Sequence, residues 1–68
     1  MKGAYKIIEL VGSSKKSWEE AAAHAIETAG KSVRDIRVAE VVEMDMKVNK
    51  GNVDAYRVRL KVSFKIEA

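Results

Sequence analysis

From Tyr56 to Ile66 every second residue is apolar: Tyr56, Val58, Leu60, Val62, Phe64 and Ile66. Between them stand Arg57, Arg59, Lys61, Ser63 and Lys65, and Glu67 continues the charged set. Successive strand side chains point to opposite faces, so this period of two predicts a strand over Ala55–Glu67 with one apolar and one charged face. A slip of one residue would put the charges in the core, so the register is tightly specified. A first strand is predicted over Ala4–Val11, with Ile7, Ile8, Leu10 and Val11 as its apolar content, ended by Gly12, Ser13 and Ser14.

Between these strands the period changes. Ser17 and Glu20 form an S-x-x-E capping box, in which the Ser17 hydroxyl accepts from the Glu20 amide and the Glu20 carboxylate reaches back to the Ser17 amide. A helix is predicted from Trp18, with Trp18, Ala22, Ala25, Ile26, Ala29 and Val33 on one stripe. Gly30 loosens its last turn, and the chain turns through Ser32 to Asp35. The second strand begins near Ile36. Val38, Ala39, Val41, Val42, Met44, Met46 and Val48 put apolar residues on both of its faces, the pattern of a strand covered on both sides. Asn49, Lys50, Gly51 and Asn52 tolerate positive φ and predict an antiparallel hairpin to the last strand. The order is β-α-β-β, an α+β fold. With the last strand paired between the other two, the sheet is wholly antiparallel and the helix lies on its apolar face.

Size changes how that pattern is read. A chain of 68 residues is expected to be one domain, residues 1–68, that buries only about 60% of its unfolded surface. Disulfides, a structural metal or self-association are the usual remedies for so thin a core. There is no cysteine and His24 is the sole histidine, which excludes a disulfide and a Cys/His zinc site and leaves self-association. No leader and no run of roughly 20 apolar residues is present, so a cytoplasmic protein without membrane contact is expected. The net charge of +3 is spread along the chain. Nucleic-acid binding is not expected either, because Tyr56 and Phe64 lie opposite the basic stripe and cannot stack on bases beside it. Catalytic chemistry has no support, since neither a nucleophile constellation nor a glycine-rich phosphate loop is present.

The segments Y-K-I-I-E-L-V-G-S-S, S-W-E-E-A-A-A-H-A-I, D-I-R-V-A-E-V-V-E and A-Y-R-V-R-L-K-V-S-F-K-I, in this order and in so short a chain, resemble the dodecins over nearly the whole length. The resemblance implies a three-stranded antiparallel sheet wrapped around one helix, a hollow homododecamer of cubic symmetry, and storage of flavin (riboflavin, FMN or FAD) in stacked pairs. It also implies which positions meet the flavin. The stacking tryptophan of the family falls on Val38, the glutamine at the polar edge of the isoalloxazine falls on Arg57, and an acidic position near the ribityl chain is kept as Glu43. Val38 has no ring, so the roughly 0.5 to 1.5 kcal/mol that aromatic stacking adds is lost. Arg57 donates hydrogen bonds but offers no acceptor to the flavin N3–H.

Glu43 and Asp45 are two apart on one strand and so share a face, where oxygen ligands from neighbouring subunits would suit calcium, which takes about 6 to 8 oxygens. Some members of the resembled family that lack the tryptophan are associated with calcium. The competing reading pairs these carboxylates with Arg57, Arg59 or Lys61. A flavin-free ligand cage or an oligomeric scaffold is the remaining alternative. Trp18, at the start of the helix, reads as a packing residue whose indole N–H needs a partner. His24 falls on the polar side of the helix and reads as a solvent-exposed or subunit-contact residue rather than a metal ligand or catalytic base.

Overall fold

The computed structural model describes residues 3–66; Glu67, placed in the last strand above, lies outside them. Four elements follow in order: β1 (Ala4–Ser14), α1 (Trp18–Gly30), β2 (Ile36–Asn49) and β3 (Asn52–Ile66). The strand order is β1-β3-β2 and both pairings are antiparallel. This is the β-α-β-β, α+β arrangement that the hydrophobic pattern predicts. The β2–β3 turn has φ of 52° at Lys50 and 80° at Gly51, the left-handed pair that a two-residue hairpin needs to match strand twist.

β1 runs three residues further than predicted, to Ser14, and Gly12 does not end it. Gly12 pairs with Val58 under the helix, where a Cβ would lie 2.1 Å from the Ala21 carbonyl oxygen and 2.9 Å from the Ala25 Cβ. The missing side chain lets α1 settle onto the sheet. β3 likewise starts at Asn52, because the hairpin ladder closes immediately beyond the turn.

α1 begins at Trp18 with Ser17 as its N-cap, the Ser17 Oγ accepting from the Glu20 amide at 3.0 Å. The reciprocal half of the expected capping box does not form. The Ser17 amide points to Ser14 Oγ at 3.5 Å, and the Ser14 hydroxyl donates to the Glu20 carboxylate at 2.5 Å. Ser14 takes that place because the extended β1 delivers its buried side chain to the helix start. At the other end the helix stops at Gly30, and the Lys31 and Ser32 amides donate to the Thr28 and Ala29 carbonyls. Val33, predicted on the helical stripe, therefore lies beyond the helix.

The core is small: Ala21, Ala25, Val58, Leu60 and Val62, with Ile8, Leu10, Trp18, Ala22, Ile26 and Ile36 packed around it. Ala21 rather than Ala22 is the fully buried member of the alanine run. α1 packs mainly on β1 and β3 and least on β2. β2 is consequently bare: Val38, Val41, Val42, Met44, Met46 and Val48 are all exposed in the single chain. The two-sided cover predicted for β2 is not provided by this chain.

Candidate functional site

The sheet face away from the helix is built by β3, whose Arg57, Arg59 and Lys61 alternate with the buried Val58 and Leu60. The antiparallel register sets acidic residues opposite them. Asp45 faces Arg57, Glu43 faces Arg59, and Lys61 stands between Glu9 of β1 and Glu40 of β2. A register shift between Val41 and Glu43 keeps this alignment. Without that extra residue, Glu43 and Asp45 would point to the helix side.

The ion pairs follow from this register. Arg57 grips Asp45 with a fork, Nε to Oδ1 at 2.8 Å and Nη2 to Oδ2 at 3.0 Å. Arg59 donates from Nε to Glu43 Oε1 at 3.1 Å, and its Nη1 lies 3.8 Å from Glu9 Oε1, so that one guanidinium spans all three strands. The hydrogen bond from Arg57 holds the Asp45 carboxyl below its ordinary pKa, against a smaller opposing effect of burial, and Asp45 in turn pushes the Arg57 guanidinium up. The pairing of these carboxylates with arginines, one of the two readings of the sequence, is thus present in the chain.

Glu43, Asp45 and Arg57 come together; Val38 does not join them. Val38 is 60% exposed on the same face but pairs with Ser63, six residues along β3 from Arg57, which is about 20 Å at strand spacing. Within one chain, Val38 and Arg57 therefore stand at separate places along β3. Among the described residues no cluster of three or more His, Cys, Asp or Glu side chains forms a metal site within the chain.

Two features were outside sequence reasoning. The Trp18 indole N–H finds its partner in the Asp45 carbonyl at 3.1 Å, while the ring packs edge-on to Tyr56 at 5.0 Å between centroids. The helix start is therefore tied to the backbone of the residue that Arg57 grips. On the helix side, a cavity of about 270 Å³ is lined by Trp18, Glu19, Ala22, Val41, Met44 and Val58, and it contains none of the candidate ligand residues. His24 is exposed as expected, with Nδ1 3.4 Å from the Ser13 carbonyl oxygen.

This fold and residue order have known counterparts. Residues 4–67 match the Dodecin family. The chain belongs to the dodecin family. It is 52% identical over 62 residues to the calcium dodecin of Mycobacterium tuberculosis, covering 91% of this chain and 87% of that one, and 36% identical over 63 residues to the dodecin of Thermus thermophilus, covering 93% and 91%. Among solved structures it superposes on the dodecin of Streptomyces davaonensis with a TM-score of 0.93 at 25% identity, each chain covered in full. A crystal structure of the M. tuberculosis calcium dodecin, described as calcium-chelating and as having a calcium-binding site, superposes with a TM-score of 0.84 at 51% identity, covering 94% of this chain and 91% of that one. As a dodecin, this chain has an ion-paired face in which neither Val38 nor Arg57 provides an aromatic ring.

Proposed function

We propose that this dodecin is a non-enzymatic, homo-oligomeric small-ligand-binding protein whose ligand is calcium rather than flavin. The observation that carries the reading is its 52% identity with a calcium dodecin across nearly the whole chain. Val38 supports it from the other side, because a flavin ring stacked there meets a branched aliphatic group on each wall instead of an aromatic one. The donor chemistry suits the ion: Glu43 and Asp45 are hard oxygen donors on one face, as calcium requires, and no thiol is available to favour a softer metal. They would hold the ion together with oxygens from a neighbouring copy. Oligomerisation, with twelve subunits closing a hollow shell, is supported by the bare apolar length of β2. In this reading the single domain spans the chain and works in the cytoplasm as a ligand store.

Calcium should raise the thermal midpoint of the assembled protein in a concentration-dependent way, because a ligand of the folded assembly stabilises it by mass action. A chelator should reverse the shift, and the Glu43→Gln/Asp45→Asn double variant should lose it. The same preparation should be colourless, with weak riboflavin quenching that Val38→Trp strengthens. A bound-flavin spectrum together with an absent calcium shift would overturn the assignment in favour of flavin.

A further inference from the structure

The cavity on the helix side of the sheet has no part in the reading above. It exists because α1 packs on β1 and β3 and least on β2, which leaves an open trough between the helix start and the bare strand. Its volume of about 270 Å³ is near the lower end, about 300 Å³, of clefts that hold small ligands. Ala22, Val41, Met44 and Val58 make its walls apolar, and Trp18 and Glu19 complete them. Two properties distinguish it from a simple packing gap. The Trp18 ring is held at two points, by its indole N–H on the Asp45 carbonyl at 3.1 Å and by Tyr56 at 5.0 Å between centroids, so an aromatic wall stands ready before anything binds. Glu19 is the one charged residue of the lining, and among the described residues it makes no ion pair.

We propose that this trough binds a small hydrophobic ammonium ion of the arylalkylamine class. The ligand ring would lie among Trp18, Val41 and Met44, where aromatic and sulfur–aromatic contacts add to burial. Its ammonium group would sit at the rim, gaining an ion pair with Glu19 and a cation–π contact with Trp18. The same carboxylate repels an anion, so charge selects the ligand as much as shape does. Glu19 also lies in the first turn of α1, where the helix dipole favours a carboxylate in any case; binding and stability are therefore separate readouts. Val41 and Met44 begin the bare apolar strip of β2, which makes a side chain from a second copy the competing occupant. Glu43 and Asp45 are absent from the lining, so the proposal does not depend on the calcium reading.

Titration of the assembled protein with phenethylammonium chloride tests this, read on the emission of Trp18, the sole tryptophan. A saturable change with a Kd of about 1 mM is expected for so small a ligand. Phenethyl alcohol, which has the same shape without the charge, should bind about threefold to fivefold more weakly, as the loss of an exposed ion pair predicts. Hydrocinnamate, the anionic counterpart, should bind about tenfold more weakly or not at all. Glu19→Gln should remove the preference for the amine while leaving the binding of the alcohol unchanged. Ala22→Leu fills the trough and should abolish binding of all three; if that variant does not fold, the exposed Glu19→Gln carries the test. A preference for the amine that survives Glu19→Gln, or equal binding of amine and alcohol by the parent, would overturn the proposal. So would the absence of any saturable change, and a Trp18 emission that moves instead when the assembly dissociates would give the trough to a second copy.

Discussion

Ser14 makes three hydrogen bonds through one hydroxyl. It donates to the Glu20 carboxylate and accepts from the Lys16 amide at 2.9 Å and the Ser17 amide at 3.5 Å, so one buried oxygen organises the entry to α1. The bond from Ser14 also holds the Glu20 carboxyl below its ordinary pKa; burial opposes this, and the nearby Lys16 and His24 reinforce it. A carboxyl whose pKa is lowered by folding contributes stability above its unfolded pKa, and loses it as the pH falls through the folded value. Ser14→Ala should therefore lower the thermal midpoint at pH 7. The gap to the parent should narrow as the pH is taken from 7 to about 3, through the carboxylate range. A gap that stays constant with pH would assign the effect to the two amides alone.

Gly12 governs how α1 meets the sheet. The helix contributes mainly alanines to the core, and so small a face packs well only at short range. Gly12 in β1 is what permits that approach, since the first atom an added Cβ meets is the Ala21 carbonyl, backbone that cannot rotate away. Gly12→Ala should cost about 3 kcal/mol, at the upper end for overpacking, because the whole helix must lift. The check is a urea midpoint at fixed protein concentration. An unchanged midpoint would mean that α1 slides along the sheet at little cost.

A chain with principal extents of 50 × 20 × 13 Å and a core of mostly small residues leaves its longest apolar strip uncovered. Val41 and Met44, 50% and 57% exposed, flank the cavity beneath Trp18, and burying that strip against other copies would be the largest single gain in apolar contact open to the protein. Light scattering of the parent should report a closed assembly of twelve chains. Val41→Glu should yield smaller species, since an unpaired charge held in an interface costs several kcal/mol. A parent that is monomeric at working concentration would overturn this architecture.

The alternation in β3, the Ser17 cap and the Lys50–Gly51 turn were legible in the sequence because each is a local property: side-chain direction, one hydroxyl and its nearest amides, two residues at positive φ. Strand order was legible only as a condition, that the last strand pairs between the other two to make a wholly antiparallel sheet, and the structure meets it with the order β1-β3-β2. Three things needed the tertiary structure. Gly12 reads as a strand breaker until the helix is seen above it. Ala21, in a run of three alanines, carries no hydrophobic signal to distinguish inside from outside. The separation of Val38 from Arg57 depends on how far apart their partners fall on β3. Each of these is decided by which surface lies opposite a residue, and neither composition nor spacing along the chain contains that until helix and sheet have docked.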